Sequence, residues 1–153
     1  MRGVPVFYRE IDGLALVIEL IPGENLEGLE KEKPLPVAFF RDLEGLVEAF
    51  HRRGLAHCDL KRAPNILLGC DGKPYIVDWS ASVSQRELCI FPLPLVYRRF
   101  IIDDLNAVTK AQLRHCPAQV SLERKGRYYR RSSGERLIRA VRDRLRDLLQ
   151  RIA

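Results

Sequence analysis

Apolar residues recur along this chain in two rhythms, and the change of rhythm marks the elements. Residues 4–9 and 14–21 hold apolar runs on either side of Asp12-Gly13, a pair suited to the positive φ angles of a hairpin turn. The second run, from Leu14 to Ile21, is apolar everywhere except Glu19, which predicts a buried strand ended by Pro22-Gly23. Residues 24–36 are polar, with Lys31, Lys33 and two prolines, and read as a connector with room for one helical turn. The rhythm then becomes helical. Phe39, Phe40, Leu43, Leu46, Val47 and Phe50 share one face of a helix predicted over 37–53, with Arg52 and Arg53 in its last turn and Gly54 as its C-cap.

Beyond that helix the pattern shortens. Leu55-Ala56, Ile66-Leu67-Leu68 and Tyr75-Ile76-Val77 read as three small strands, with Asp71-Gly72 predicting a tight turn between the last two. Residues 86–101 read as irregular because of Pro92 and Pro94, and a helix is expected over 101–115, starting near Asp103. A last amphipathic helix is expected from about Gly134 to Ile152, with Leu137, Ile138, Val141, Leu145, Leu148, Leu149 and Ile152 on one face.

Composition narrows the class. The 153 residues suffice for one domain with a real core, and 46% hydrophobic with 30% charged residues is an ordinary globular balance. No apolar run approaches the roughly 18 residues of a membrane span, and the first residues lack a signal-peptide pattern, so a cytoplasmic location is expected. Cys58, Cys70, Cys89 and Cys116 fit no CxxC zinc spacing and read as reduced thiols. The net charge of +6 is uneven: residues 1–117 hold 15 Lys+Arg against 16 Asp+Glu, residues 118–153 hold 11 against 4. An anionic partner would therefore be met at the tail, where six arginines flank the apolar stripe. Two readings stand for that tail: a solvated face on a packed helix, or adhesion to an anionic partner, either lipid or lipopolysaccharide, which would make the protein peripheral to the inner membrane, or nucleic acid. Only Tyr128 and Tyr129 interleave the charges, so specific nucleic-acid reading is not expected.

The chemistry concentrates in His57-Cys58-Asp59-Leu60-Lys61-Arg62-Ala63-Pro64-Asn65-Ile66-Leu67-Leu68 and in Tyr75-Ile76-Val77-Asp78-Trp79-Ser80. A long helix feeds a short strand, a polar loop presents an Asp, a Lys and an Asn, and a hairpin returns a second Asp to the same end. Phosphoryl transfer needs such parts: a carboxylate to orient and deprotonate a hydroxyl, a cation near the transferred phosphate, and oxygen ligands for Mg²⁺.

The stretch resembles the catalytic loop of protein kinases, H-R-D-L-K-x-x-N, followed by the metal-binding D-F-G. Leu16-Val17-Ile18-Glu19-Leu20-Ile21-Pro22-Gly23 resembles the fifth strand and hinge of the same fold. The chain looks most like the bacterial lipopolysaccharide kinase family, which phosphorylates Kdo or heptose sugars and includes proteins called serine/threonine kinases; Ile101 to Val108 resembles its region after the activation segment. The resemblance covers about residues 4–115. It implies an α+β fold: an N-lobe remnant and hinge at 1–22, a mainly helical kinase-like C-lobe at 23–117, and a basic C-terminal segment at 118–153. It implies an ATP- and Mg²⁺-dependent phosphotransferase acting on a sugar or Ser/Thr hydroxyl. Asp59 matches the catalytic base and Lys61 the lysine near the γ-phosphate. Asn65 and Asp78 match the metal ligands, and His57 the structural histidine beneath the metal loop. The backbone of Glu19 and Ile21 matches the adenine-binding hinge, with Ile18 at the back of the pocket.

The departures carry information too. Cys58 stands where many protein kinases have an Arg that receives an activation-loop phosphate, so phosphate-dependent switching is not expected. Asn65 follows Asp59 by six positions against the usual five, so a residue must bulge within Lys61-Arg62-Ala63-Pro64. Trp79-Ser80 replaces Phe-Gly, and no A-P-E motif follows. The chain shows no Gly-rich phosphate loop, strand-three lysine or αC glutamate, so feeble activity is expected of it alone. Two alternatives follow: a truncated or inactive kinase-like binding module, and a small-molecule kinase of aminoglycoside or choline type. His51 and His115 are expected at the surface, and Cys58 and Trp79 in the core. Either Asp103 or Asp104 is expected to anchor the catalytic loop's backbone.

Overall fold

The computed structural model describes residues 2–29, 34–90 and 93–129, and shows a mixed α+β architecture of helices and small antiparallel sheets. The chain divides into two units, Met1–Val120 and Ser121–Ala153.

Strands β1 (Phe7–Ile11) and β2 (Ala15–Ile18) form a hairpin, pairing Arg9 with Val17, Glu10 with Leu16 and Ile11 with Ala15. Its turn is at Asp12-Gly13, as the sequence predicts: both residues have positive φ (51° and 68°), and Leu14 N donates to Ile11 O at 3.0 Å. The expected burial of the second strand is corrected. Leu14 is 91% exposed, Leu16 66% and Leu20 88%, and Phe7, Tyr8 and Ile18 are exposed as well. An apolar run reports what a strand could bury, not whether a second layer covers it, and among the described residues none does.

The core is built around α2 (Val37–His51). Its face of Phe39, Phe40, Leu43, Leu46, Val47 and Phe50 packs with Ala107 and Val108 of α3 (Leu93–His115), with Leu26 and Leu60, and with Ile66 and Ile76. Each such aliphatic or aromatic side chain contributes roughly 1.5–3 kcal/mol on leaving water. Gly54, at φ 76°, ends the helix by donating to His51 O, and its own carbonyl takes Gln85 N at 2.7 Å. A side chain there would be strained, so glycine is what lets the chain turn into β4 (Leu55–Ala56), which pairs β7 (Val83–Ser84).

The central sheet runs β3 (Gly23–Asn25), β5 (Ile66–Gly69), β6 (Pro74–Ile76). The β5–β6 hairpin pairs Ile66 with Ile76 and turns through Gly72, at φ 76°. The connector after Gly23 thus contributes a strand as well as its one helical turn, α1 (Leu26–Leu29). The helix expected from about Asp103 starts ten residues earlier, at Leu93. Pro94 is its second residue, where a missing N–H costs no intrahelical bond, so this proline opens the helix instead of breaking it.

In the second unit, α4 (Leu122–Tyr129) carries an i,i+4 pair of Glu123 with Arg127 and an edge-to-face pair of Tyr128 with Tyr129. The basic helix expected over 134–152, with its leucine stripe, lies outside the described residues. No described helix is long and apolar enough to cross a membrane.

These two environments should separate cleanly in urea unfolding. Leu43→Ala, in the sealed core, should cost about 2–5 kcal/mol, while Leu16→Ala, on the bare hairpin, should stay within about 0.5 kcal/mol. Comparable losses at both would mean that the hairpin is covered.

Candidate active site

The site is organised by one buried carboxylate. Asp104, 1% exposed and halfway along α3, accepts His57 N at 2.8 Å and His51 Nε2 at 3.1 Å on Oδ2, and Cys58 N at 3.1 Å on Oδ1. This decides between the two neighbouring aspartates: Asp103 lies at the surface in an i,i+4 pair with Arg99. The expected surface placement of His51 is likewise corrected. Its side chain is only 10% exposed, because position 51 continues the buried 43–47 face of α2 and brings the imidazole onto Asp104. His115 is also buried, against the Phe40 ring at 5.6 Å, since it closes the inward face of α3.

With its backbone clamped, the segment can hold unusual torsions. Cys58 has φ 68°, a left-handed conformation that costs a residue of this kind on the order of 1–3 kcal/mol. Its thiol is pushed up to about 11, first by burial and then by the Asp104 charge, so it is a poor nucleophile at neutral pH. His57 is fully buried, its Nε2–H donating to Val77 O at 3.0 Å, and Trp79 packs edge-on against both His57 and Phe50. Trp79 Nε1 donates to Ile76 O, so the indole is a structural wedge beneath the second loop.

Asp59 leaves this clamp at the start of two linked turns. Arg62 N donates to Asp59 O at 3.3 Å and Asn65 N to Arg62 O at 3.1 Å, the second turn being a 3₁₀ turn over Ala63–Asn65. These turns absorb the six-residue spacing. Asn65 Nδ2 reaches back to Asp59 O at 3.0 Å and Oδ2 at 3.5 Å, while Asn65 O takes Val77 N at 3.0 Å. Asp59, Asn65 and the residue before Asp78 therefore share one hydrogen-bond network. Asp78 itself is exposed at φ 60°. Ser80 Oγ donates to its carboxylate at 2.6 Å and, with smaller contributions from the Ser80 backbone N–H, His57 and Arg62, holds its pKa below the ordinary aspartate value. A lowered pKa means that Asp78 is ionised at neutral pH and takes up a proton only in acid below that ordinary value.

One exposed, ionised carboxylate and one amide oxygen from Asn65, a residue only 4% exposed, are the kind of donors that suit a hard divalent cation completed by phosphate oxygens. Among the described residues no group of three or more His, Cys, Asp or Glu forms a protein-only metal cage.

The remaining expected site residues lie elsewhere. Lys61 is exposed and borders a small cleft with Leu26, Ala107, Lys110 and Arg114. Arg62 is the cation beside Asp59, with Nη1 3.4 Å from Oδ2. Ile18 is exposed on β2, and Glu19 clips the hairpin shut, its N–H donating to Val6 O while its carboxylate accepts Val6 N. Ile21 leads into β3, which pairs the strand that begins directly after Asn65. A cavity of about 680 Å³ opens at the opposite end of the β5–β6 hairpin, lined among others by Arg2, Arg41, Asp71 and Lys73, and contains none of these residues. The sequence reading missed Arg62, Ser80 and His51. The extra loop residue was a signal for the first, and helical spacing from Val47 for the last.

No protein-family model matches the chain, and no curated protein matches it.

If Asp104 is the clamp, Asp104→Ala should destabilise the protein by about 3–5 kcal/mol, since it strands buried donors. Asp103→Ala, which removes a surface pair, should cost under about 1 kcal/mol. Thermal unfolding of the two variants side by side measures this, and equal losses would reject the assignment.

Proposed function

We propose that this chain is the catalytic C-lobe of a protein-kinase-like phosphotransferase, moving the terminal phosphate of ATP to an alcohol. The acceptor would be a sugar hydroxyl, as in the lipopolysaccharide core, or a Ser/Thr hydroxyl. The observation that carries this reading is the shared network: Asp59 bonds Asn65, and Asn65 bonds the backbone that delivers Asp78. A base candidate, an amide side chain and the backbone beside a second carboxylate are thus linked across separate loops, which supports the reading.

In this mechanism the acceptor hydroxyl lies against Asp59. The carboxylate takes its proton as the hydroxyl oxygen bonds to the γ-phosphorus. The bond from that phosphorus to the bridging oxygen breaks, and the electron pair leaves with ADP. Asn65 would hold Asp59 in line through its Nδ2, which donates to Asp59 O and Oδ2. Mg²⁺ on Asn65 and Asp78 would neutralise the triphosphate's charge. The adenine would lie along Ile18 to Ile21, held by backbone groups of Glu19 and Ile21. Positioning dominates catalysis in this reaction class, and the strip that would hold the nucleotide is exposed, so weak binding and slow transfer are expected.

Titration calorimetry with ATP and Mg²⁺ tests the proposal. The wild type should bind weakly, Asp78→Ala should abolish the heat, and Asp71→Ala, at the far end of the same hairpin, should leave it unchanged. Equal binding by the wild type and Asp78→Ala would contradict the metal-ligand assignment. Binding without transfer to any hydroxyl acceptor would favour a nucleotide-binding module over an enzyme.

A further inference from the structure

A carboxylate base facing a triphosphate needs a cation at hand, and two neighbouring residues offer one. Their surroundings differ. Lys61 borders a cleft already holding Lys110 and Arg114, and it has no ion pair among the described residues. That corner is a cluster of like charges on the side of the loop facing α3. Arg62 is fixed at both backbone polar groups, its N–H on Asp59 O and its carbonyl taking Asn65 N. Its guanidinium consequently starts from the centre of the loop, and Nη1 reaches Asp59 Oδ2 at 3.4 Å.

The Arg62–Asp59 pair contributes little to stability. The arginine side chain is 63% exposed and the separation is long, so the pair is worth under about 1 kcal/mol. A guanidinium held that loosely exchanges readily for a better partner. A phosphate group offers two or three oxygens in the spacing that the planar fork matches.

We propose that Arg62, and not Lys61, is the cation that meets the phosphate being transferred, and that without nucleotide it masks the base Asp59. The inference rests on the phosphotransfer reading above. Arrival of the γ-phosphate draws the guanidinium off Asp59, which frees a lone pair of Oδ2, beside the Asn65 amide, to accept the hydroxyl proton. The swap couples the two halves of the reaction: the base is unmasked only when the group to be transferred is in place.

Calorimetry on the full chain with Mg²⁺, comparing ATP with ADP, isolates the γ-phosphate. Arg62→Ala should weaken ATP at least about tenfold, the scale of one charge-assisted hydrogen bond, while ADP changes less than about twofold on the same scale. Arg62→Lys should recover part of the ATP affinity, and Lys61→Ala should leave both nucleotides as in the wild type. Both positions are exposed, so unchanged unfolding midpoints will show that the variants are folded. A selective loss of ATP in Lys61→Ala with none in Arg62→Ala overturns the assignment and leaves the phosphotransfer reading standing. So does a wild type that binds ATP no differently from every variant. A wild type that binds neither nucleotide overturns both.

Discussion

Everything at the site hangs from the Asp104 carboxylate. A charge buried to 1% exposure is costly unless donors surround it, and here two backbone N–H groups and an imidazole do so. The arrangement binds three separate parts of the chain: α3, the end of α2 through His51, and the His57–Cys58 backbone. It also explains why Cys58 can sit at positive φ, since the two consecutive amides pointed at one carboxylate fix the torsions between them. From that fixed point the chain must emerge at Asp59 in one direction. His57 transmits the same constraint to the second loop by its bond to Val77 O, one residue before Asp78. The site is therefore held from below by buried polar contacts, with Asn65 itself buried, Asp59 partly covered and Asp78 open to solvent.

The rest of the first unit divides along the same line. The side chains that stabilise it lie between α2, α3 and the β5–β6 hairpin, with Phe39, Phe40, Phe50, Leu43 and Val108 sealed from water. The β1–β2 hairpin stands apart energetically. A two-stranded hairpin is marginal by itself in water, and this one shows Phe7, Tyr8, Leu16 and Ile18 to solvent. Its attachments lie at its two ends: before it, Ile76 N donates to Gly3 O and Val4 packs on the core; within it Glu19 clips Val6; and beyond it Cys70 N donates to Pro22 O. Buried polar contacts thus lie under the Asp59, Asn65 and Asp78 loops, whereas Ile18 and Leu20 are exposed.

How much of this the sequence shows follows from how local each feature is. The α2 face, the Asp12-Gly13 and Asp71-Gly72 turns and the Gly54 cap are decided within a few residues, and all are where periodicity and turn chemistry put them. The nearness of Asp59, Asn65 and the Val77 backbone is local in the same sense, because helix, loop and hairpin follow one another without interruption. Features set by distant partners were hidden. The three-residue β3 exists only because β5 accepts it. Asp103 and Asp104 differ by about 100° around α3, and only the packing of that helix says which one faces inward. Pro94 carries the same chemistry as a breaker or as a helix opener, and its position in the element decides. The exposed β2 run and the choice between Lys61 and Arg62 belong to this class too, since both depend on what lies across from them.

The central claim is that Asn65 and Asp78 form a metal–nucleotide site with Asp59 beside it, and paramagnetic broadening tests it without requiring turnover. Amide spectra of the ¹⁵N-labelled chain with ATP would be recorded as Mn²⁺, standing in for Mg²⁺, is added in substoichiometric steps. The expected result is broadening centred on residues 59–65 and 77–80, with the Asn65 side-chain amide among the first signals lost. Broadening centred instead on Asp42 and Asp71 at the far cavity, or spread evenly over surface carboxylates, would contradict the account.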